Sequence, residues 1–580
     1  MMPAFRPALF RPGFATARRL PNPWDAAAIL CVVAALIAIT QIARGGFVGI
    51  DVPGATEVTL DPWNLPEYAV RTTLRMFAAL FLSLLFTFTY GTAAAKSRRA
   101  RVILLPLLDV LQSVPILGFL TFTVVFFMSL FPGHVIGLEC AAIFAIFTSQ
   151  AWNMAFSMYQ SLISVPPDLH EAARSFRLTA WQRFWRLEVP FATPGLVWNT
   201  MISMSGGWFF VVASEAVSVG DKTWKLPGIG SYVAVALEQR DLTAVAWAIL
   251  AMLAVILAYD QLLFRPLVAW SAKFRSETTA GATADDPWVL RLIRRTRLLS
   301  AAGGMLGDAM AAIGGLRLSL PAAPAAVARQ VPSRVLDALG GALLAVALVW
   351  AGWRVGAFAS EWLAWSDLLD VLGLGTLTLL RVASMIVLAS LVWVPIGVWL
   401  GLRPVWARRA QPVTLFLSAF PANLLFPPFV LTIVHFGLAP DIWLTPLMIL
   451  GTQWFILFNV VAGAAAFPGD LRETAANFRV GGWLWWRRVM LPAIFPHYIT
   501  GAIAASGGSW NAAIVAEVAS WGDTKLTALG LGAYIAQATE RGDIARVVLG
   551  VMTMSAFVVA MNRVVWRPLQ AYAARRMTMD

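Results

Sequence analysis

Two polar segments of an otherwise apolar chain contain the side chains best suited to contact a partner protein. The first segment contains Asp168 and Glu171. The second contains Asp470 and Glu473 at the same spacing, 302 positions further along the chain. An aspartate followed three residues later by a glutamate is typical of a helix start, with the first carboxylate as the N-cap and the second reaching back to it. The spacing therefore predicts two short surface helices that present carboxylates.

The residues that follow complete two predicted contact surfaces. Small side chains after each glutamate would permit close approach of another protein, and an arginine comes shortly afterwards. These residues are Ala172, Ala173 and Arg177 in the first segment and Thr474, Ala475 and Arg479 in the second. Thr179 and Gln182 have the spacing of a cap for a second helix, whereas Gly481 and Gly482 loosen the equivalent turn. One such glutamate would often only cap a helix, but two symmetric copies favour a paired docking surface.

Polar side chains inside the apolar segments form a second group of candidates, for a solute pathway or a gate. They are Gln112, Ser113, Gln150, Asn153, Glu215, Gln453, Asn459 and Glu517. Hydrogen bonding between helices is as good an explanation for the glutamines and asparagines as contact with a solute. For Glu215 and Glu517 we favour a structural or gating role near the outer end over anion binding, because a carboxylate repels an anion.

Two predicted outer loops, at residues 220–241 and 522–543, contain a Gly-x-Gly pattern in symmetric positions. The pattern alone is a weak turn signal and does not form a phosphate-binding loop. Its symmetric placement favours an external gate or a contact with a receptor. Three lysines in these loops would attract an anion or an acidic surface, namely Lys222, Lys225 and Lys525.

The composition of the chain excludes most classes of soluble enzyme. Of the 580 residues, 59% are hydrophobic and only 13% are charged, as in a multi-pass membrane protein. The four histidines and two cysteines are scattered, without the spacing of zinc or haem ligands, which disfavours a membrane redox enzyme. None of the five lysines follows a glycine, so the chain has no Walker A motif. We therefore predict no catalytic residue, metal or cofactor in this chain.

Twelve apolar segments are long enough to span a bilayer. We predict them at residues 24–44, 70–95, 103–131, 137–160, 195–219, 243–264, 335–358, 374–402, 413–436, 442–466, 494–520 and 544–566. Arginines are concentrated in alternate loops and carboxylates in the others, so the positive-inside rule predicts cytoplasmic N- and C-termini. The same bias explains most of the net charge of +13 without binding of nucleic acid.

The sequence repeats itself. Matching residues lie 302 positions apart from Trp152 and Trp454 onward, and 306 positions apart upstream, as for Arg75 and Arg381. The first copy therefore has four extra residues upstream of Trp152. Because each copy contains an even number of predicted spans, both cross the membrane in the same sense, with a symmetry axis along the membrane normal.

The predicted repeats comprise residues 1–266 and 335–580. Their inner loops, 166–190 and 468–492, contain the acidic segments and are named the first elbow and the second elbow below. Residues 267–334 form a linker. It begins with a basic amphipathic helix at about residues 288–299, suited to the cytoplasmic membrane surface, and continues as a flexible Ala/Gly/Pro-rich tether.

The elbow motif resembles the signature of permeases of ATP-binding-cassette importers. In the first copy, Glu171-Ala-Ala is followed by Val189-Pro190, and further similarity lies in Leu111-Gln-Ser-Val-Pro115, Ala213-Ser-Glu215 and Leu226-Pro-Gly-Ile-Gly230. The similarity is greatest to the nitrate, sulfonate, taurine and bicarbonate branch, here as two permeases fused in one chain. It implies an all-α membrane protein with two parallel six-helix repeats of the type I importer permease fold.

The resemblance also implies how such a protein works. Each elbow would be a coupling helix that fits a groove on a separate ATPase subunit, so two ATPases would bind ATP and Mg for one permease chain. A solute-binding protein outside the cytoplasm would deliver a small anionic solute for import by alternating access. The chain would lie in the bacterial inner membrane, in contact with lipid.

The chain departs from the family pattern at one position in each elbow. Arg177 and Arg479 stand where the family usually has glycine, and arginine does not adopt a positive φ cheaply. Either the turn differs, or each arginine pairs with an acidic residue of the ATPase. The alternative function is a secondary transporter of the major facilitator type, also with six plus six parallel spans. Its characteristic Gly-x-x-x-Asp-Arg run is absent from loop 95–101.

Overall fold

The computed structural model describes residues 57–219, 222–274, 287–317, 364–521 and 524–576, together with Gly49 and scattered positions between 341 and 361. Nearly all of these residues are helical, as expected where lipid offers the backbone no hydrogen-bond partner. The span predicted at 24–44 lies outside the described residues. The span predicted at 335–358 is described only at scattered positions.

The first repeat consists of helices and one antiparallel hairpin. In chain order the elements are α1 (Pro62–Lys96), α2 (Arg98–Leu111), α3 (Ile116–Leu130), α4 (Val135–Ile163), α5 (Pro167–Ser175), α6 (Ala180–Glu215), β1 (Ala216–Val219), β2 (Lys222–Lys225), α7 (Ile229–Glu238) and α8 (Leu242–Ser271). The strands pair from Ala216 with Lys225 to Val219 with Lys222.

Two linker helices and a second set of elements follow. They are α9 (Trp288–Arg295), α10 (Arg297–Gly315), α11 (Trp365–Gly401), α12 (Pro404–Ala419), α13 (Ala422–His435), α14 (Pro440–Met448), α15 (Gln453–Ala465), α16 (Gly469–Asn477), α17 (Gly482–Ala516), β3 (Val518–Trp521), β4 (Thr524–Thr527), α18 (Leu531–Glu540) and α19 (Ile544–Ala573). The linker prediction was partly wrong, because the stretch expected to be a tether is helical as far as Gly315.

Seven helices within the described ranges are long and apolar enough to cross a membrane, namely α1, α4, α6, α8, α11, α17 and α19. Counting two bent pairs as one span each raises the number to nine. The seven helices coincide with seven of the predicted spans. The predicted spans 195–219 and 494–520 end too late, because α6 stops at Glu215 and α17 at Ala516, and each then continues into a hairpin.

Three predicted spans are interrupted. The segment predicted at 103–131 is two helices, α2 and α3, bent by 101°. Pro115 precedes α3, and Pro421 occupies the same place between α12 and α13, where the span at 413–436 was predicted. Proline lacks an N–H and disfavours helix in the residue before it. The span predicted at 442–466 is α14 and α15, bent by 43°.

Irregular turns recur in both repeats. One π-helical turn covers Phe184–Glu188 in α6 and Trp486–Met490 in α17. Another covers Asp260–Phe264 in α8 and Asn562–Trp566 in α19. Both pairs lie 302 positions apart. Since such turns are rare, their repetition shows that the two copies share local backbone geometry as well as sequence.

The two repeats share one apolar core. It includes buried residues from α6, such as Trp208, and from α17, such as Trp510. Across the boundary between repeats, the rings of Trp198 and Phe458 stack with centroids 5.2 Å apart. The repeats therefore pack directly against each other.

Candidate functional site

The first and second elbows each begin with an exposed nine-residue helix, α5 or α16. The carboxylates of both helices are solvent-exposed at positions Asp168, Glu171, Asp470 and Glu473. Of the small residues predicted to contact a partner, Ala172 is half-buried and Thr474 is exposed. Ala173 and Ala475 are buried, at 5% and 7% exposure, and so pack inward. The outward surface of each elbow helix presents two carboxylates together with one arginine, Arg174 in the first elbow and Arg472 in the second.

The predicted N-caps were wrong. Pro166 and Pro468 occupy the N-cap positions, so Asp168 and Asp470 lie in the first turn of their helices without a side-chain capping bond. Proline at a helix start fixes a suitable φ, so the helices begin earlier than the acidic spacing indicates. A carboxylate in the first turn still interacts favourably with the helix dipole, and it remains exposed for a partner.

The turn after each elbow helix resolves the departure from the family pattern. Arg177 and Arg479 both adopt φ of 51°, the left-handed conformation that favours glycine. In the first elbow, the backbone N–H of Leu178 donates to the carbonyl of Ala173 over 3.1 Å. In the second, Val480 donates to Ala475 over 2.9 Å. The turn is thus the same in both elbows, and both arginine side chains are exposed.

The second half of the first elbow is fixed by two sets of contacts. Thr179 and Gln182 form the predicted capping box, with bonds of 3.1 and 3.3 Å. Gln182 Nε2 also donates to the carbonyl of Gly315 over 3.0 Å, and Trp181 Nε1 donates to that of Ile313 over 2.7 Å. The end of linker helix α10 is therefore docked on the first elbow.

Glu215 lies fully buried at the end of α6, in a network of four elements. Its carboxylate accepts hydrogen bonds from Thr72 Oγ1 (2.7 Å), Arg75 Nη1 (2.7 Å) and the N–H of Gly230 (2.6 Å). Arg75 also binds Glu139 through Nε and Nη2, at 2.6 and 2.7 Å. A buried carboxylate with these partners is structurally satisfied, which supports the structural interpretation over binding of an anion.

The Gly-x-Gly pattern serves this network. A Cβ atom at Gly228 would overlap the carboxylate of Glu215, and one at Gly230 would overlap the backbone of Val212. The glycines therefore allow the chain after the hairpin to approach the buried acid. Sequence analysis treated the pattern as a gate or receptor contact. The available signal for the network was the fixed distance of this pattern from Glu215, together with the match of Thr72 and Arg75 to Thr378 and Arg381, 306 positions further along the chain.

The second repeat has a looser version of the same network. Glu517 accepts from Thr378 Oγ1 (2.8 Å) and the N–H of Ala533 (3.0 Å), but Arg381 Nη1 is 3.4 Å away. Arg381 also contacts Asp441, at 3.1 Å, and this carboxylate is half exposed. Glu517 is thus placed like Glu215, with a weaker ion pair.

The other predicted pathway residues mostly bond to their own or neighbouring helices. Gln150 is buried and contacts Met76 Sδ at 3.0 Å, and Gln453 accepts from Trp393 Nε1 at 2.9 Å. Asn153 donates to Ser203, at 2.9 Å. The remaining three bond locally: Gln112 to Asp109, Ser113 to the Asp109 carbonyl, and Asn459 to the Phe455 carbonyl. These contacts are those expected of interhelical and intrahelical hydrogen bonds.

Sequence analysis missed one polar contact between the repeats. Asn511 Oδ1 in α17 accepts from the N–H of Ile116, at 2.7 Å, and so caps α3 where Pro115 breaks the preceding helix. The corresponding residue of the first repeat is Phe209, which cannot make this bond. The sequence of one repeat alone could not have shown that Asn511 bonds to a residue of the other repeat.

A polar cavity of about 560 Å³ lies between α4 and α6. Hydroxyl and amide groups line it, among them Ser157, Ser161 and Asn199. Asn199 Nδ2 donates to Ser157 Oγ over 2.9 Å, so the lining groups hold each other in place. Within the described ranges, no group of three or more histidine, cysteine or acidic residues is arranged to bind a metal.

One protein family matches the chain twice, once in each repeat. The sequence matches the family described as "Binding-protein-dependent transport system inner membrane component" over residues 87–264 and again over residues 393–578, together more than half of the chain. It is 27% identical over 201 residues to the bicarbonate transport system permease protein CmpB of Synechococcus elongatus, covering 34% of this chain and 68% of that protein.

Two other relatives are also permease proteins that are similar to about a third of this chain. The nitrate import permease protein NrtB of Leptolyngbya laminosa is 24% identical over 188 residues, which cover 32% of this chain and 64% of NrtB. The taurine transport system permease protein TauC of Escherichia coli is 27% identical over 210 residues, which cover 36% of this chain and 71% of TauC. These matches do not favour the major facilitator alternative. The chain belongs to the family of binding-protein-dependent inner membrane components, the permeases of ATP-binding-cassette importers, and is a multi-pass membrane protein containing two such units.

Proposed function

We propose that this chain is the permease of an ATP-driven importer that moves a small anionic solute into the cytoplasm by alternating access. The observation that carries the proposal is the pair of elbows. Each has an exposed acidic helix of nine residues that ends in the same left-handed turn. Two matching elbows would dock two ATP-binding-cassette subunits, which bind ATP and Mg, while a solute-binding protein delivers the solute from the opposite side.

The charge distribution supports an orientation with both elbows in the cytoplasm. Arg174, Arg177 and Arg183 lie in the first elbow, and Arg479 and Arg487 lie in the second. An excess of arginine marks the cytoplasmic side of a membrane protein. The N- and C-termini would then also be cytoplasmic, and the family description agrees with a location in the bacterial inner membrane.

Work done on the first elbow would move α4 and α6 together. The elbow joins these two helices, and hydrogen bonds of 2.9 Å connect Asn153 with Ser203 and Ser157 with Asn199 along their length. At the outer end, the network around Glu215 connects α6 to α1 and α7. Two helices that are hydrogen-bonded to each other and held at their outer ends can tilt together at their inner ends.

The polar cavity between α4 and α6 is a candidate part of the solute pathway. Its serine hydroxyls are neutral hydrogen-bond donors, which suit an oxyanion better than the buried carboxylates do. The three relatives are named for bicarbonate, nitrate and taurine. Bicarbonate and nitrate are oxyanions, and taurine carries a sulfonate. We therefore place the solute among small molecules of this class.

The elbow hypothesis is tested by reversing one charge at a time. Glu171→Lys and Glu473→Lys should each remove one ATPase from the purified complex, and the double variant should remove both and abolish coupled ATP hydrolysis. Glu57→Lys is the matched control, because Glu57 is an exposed glutamate outside both elbows. Full coupling in the double variant would overturn the proposed role of the elbows.

The transport hypothesis needs its own measurement. The complex is reconstituted in vesicles with its ATPase and binding protein, and uptake of labelled bicarbonate, nitrate or taurine is followed with ATP and with a non-hydrolysable analogue. Uptake of at least one of these solutes should require hydrolysis. Undiminished uptake without hydrolysis would contradict an ATP-driven mechanism.

A further inference from the structure

A second cavity, of about 600 Å³, lies beside the first elbow. Its walls come from the end of α1, the start of α2, the end of α4, the elbow helix α5 and the start of α6. Four basic or titratable side chains line it, and the single carboxylate among its lining residues is exposed. These residues are Arg101, His170, Arg174 and Arg183, with Glu171 as the acid.

The arginines of this cavity keep a surplus of positive charge. Arg101 donates to the carbonyls of Ala94 and Ala95, at 3.3 and 3.0 Å, which hold its guanidinium without neutralising it. Arg174 has no carboxylate within 4 Å among the described residues. Arg183 shares Glu188 with Lys96, at distances of 3.3 and 2.8 Å. The group therefore contains more cations than anions, arranged around an open space.

The second repeat lacks this arrangement. The positions that correspond to Arg101, Arg174 and Arg183 are Ala407, Ala476 and Trp485. The counterpart of His170 is Arg472, which donates to the carbonyl of Leu402 over 3.5 Å. The guanidinium of Arg403 lies over the ring of Trp399, 4.5 Å from its centre, and that of Arg409 lies over Trp406 at 5.8 Å, as that of Arg101 lies over Tyr159 at 5.5 Å. The second repeat thus also carries basic residues on this side, and the first differs in grouping Arg101, Arg174 and Arg183 around one cavity.

We propose that this cavity binds a phosphate group, supplied by the headgroup of an anionic membrane phospholipid. Arginine guanidinium groups bind phosphate oxygens through charge-assisted, often paired hydrogen bonds. The cavity lies where the apolar helix α4 ends at Ile163, and in the proposed orientation this end of the helix faces the cytoplasmic headgroups. Ile163 lines the cavity and is 51% exposed, so an acyl chain could lie along it. A free phosphate ion would use the arginines alone.

The test uses the full chain in nanodiscs, without ATPase, so its result is independent of the proposed transport function. Native mass spectrometry compares the number of phosphatidylglycerol molecules that the protein retains with the number of phosphatidylcholine molecules. Arg101→Ala with Arg174→Ala should weaken retention by about tenfold or more, because two guanidinium groups that donate charge-assisted hydrogen bonds to the phosphate are lost. Arg487→Ala with Arg488→Ala removes the same charge from the second elbow and should leave retention unchanged.

Further arms distinguish the source of the phosphate and control for misfolding. Inorganic phosphate is added to phosphatidylcholine nanodiscs against chloride at equal ionic strength. If inorganic phosphate does not change the melting temperature of the protein while phosphatidylglycerol is still retained, the site binds the lipid. If inorganic phosphate raises the melting temperature and this rise depends on Arg101 and Arg174, the site binds soluble phosphate. Arg101→Lys with Arg174→Lys should keep most of the retention. Equal losses in both alanine pairs, or no dependence on Arg101 and Arg174 for either probe, would overturn the phosphate site.

Discussion

The second half of the first elbow is docked against the linker, whereas the second elbow is open at the corresponding positions. Gln182 of the first elbow is 7% exposed and bonds to Thr179 and to the end of α10. Its counterpart Leu484 is 55% exposed, and it follows Gly482, which has φ of 58°. The elbow helices and their left-handed turns, in contrast, are alike.

This comparison distinguishes the parts of each elbow that would contact an ATPase from the parts that hold them in place. The parts that would face an ATPase, the acidic helix and its turn, are the same in both elbows. The parts that hold them differ, since one copy uses a capping box and a linker helix and the other uses neither residue of that box. Two equivalent docking surfaces are therefore held in place by different contacts. Variants of the docking surfaces and variants of the contacts that hold them can be tested separately.

The largest expected difference between the repeats lies in the buried networks at the other end of α6 and α17. Arg75→Ala should destabilise the protein by about 3–5 kcal/mol, because it leaves Glu139 and Glu215 without their cation. Arg381→Ala should have a clearly smaller effect, since Arg381 is 3.4 Å from Glu517 and its other partner, Asp441, is half exposed. Melting temperatures in one detergent provide the measurement, and equal shifts would contradict the difference in ion pairing.

A smaller difference is expected at the elbows. Gln182→Ala removes the capping box and the bond to Gly315, and should destabilise this region by about 1–2 kcal/mol. Hydrogen exchange of the α10 backbone should become faster, because the helix end loses a contact. Leu484→Ala in the second elbow is the control and should leave exchange in α10 unchanged. Unchanged exchange in Gln182→Ala would show that the linker is not held by this residue.

The repeated sequence drew attention to the elbows and to both outer glutamates, for which it predicted a structural or gating role, because matched spacing reveals elements that are local in the chain. It did not reveal the partners of Glu215. Arg75 lies 140 residues away, and the sequence alone cannot show which helices meet. The match between Arg75 and Arg381 marked both as important without indicating a pairing.

Errors in the predicted elements have physical causes that can be named. The span predicted at 103–131 counted apolar residues, and Pro115 breaks a helix without lowering that count. The glycines of α10 predicted a tether, but Ile313 and Gly315 bond to the first elbow, and tertiary contacts of this kind outweigh helix propensity. The acidic N-caps failed because Pro166 and Pro468 already start the helices.

The smallest expected change in the free energy of unfolding is at the left-handed turns of Arg177 and Arg479, where the two repeats should respond equally. A left-handed residue other than glycine costs about 1–2 kcal/mol, and glycine loses about 0.5–1 kcal/mol in backbone entropy. Arg177→Gly and Arg479→Gly should therefore each stabilise the protein by up to about 1 kcal/mol, measured as a rise in melting temperature. Unequal shifts would contradict the equivalence of the two turns, which rests on their common φ of 51°.

The same two positions can reveal why arginine stands there. Arg177→Ala removes the guanidinium but keeps the strained turn, whereas Arg177→Gly removes the guanidinium and relieves the strain. If the exposed arginine contacts an acidic residue of the ATPase, both variants should weaken ATPase binding equally, by about two- to fivefold for one exposed ion pair. If only the backbone turn matters, the glycine variant should bind as the wild type does. A loss confined to the first elbow would show that the docking points differ in chemistry, in addition to their supports.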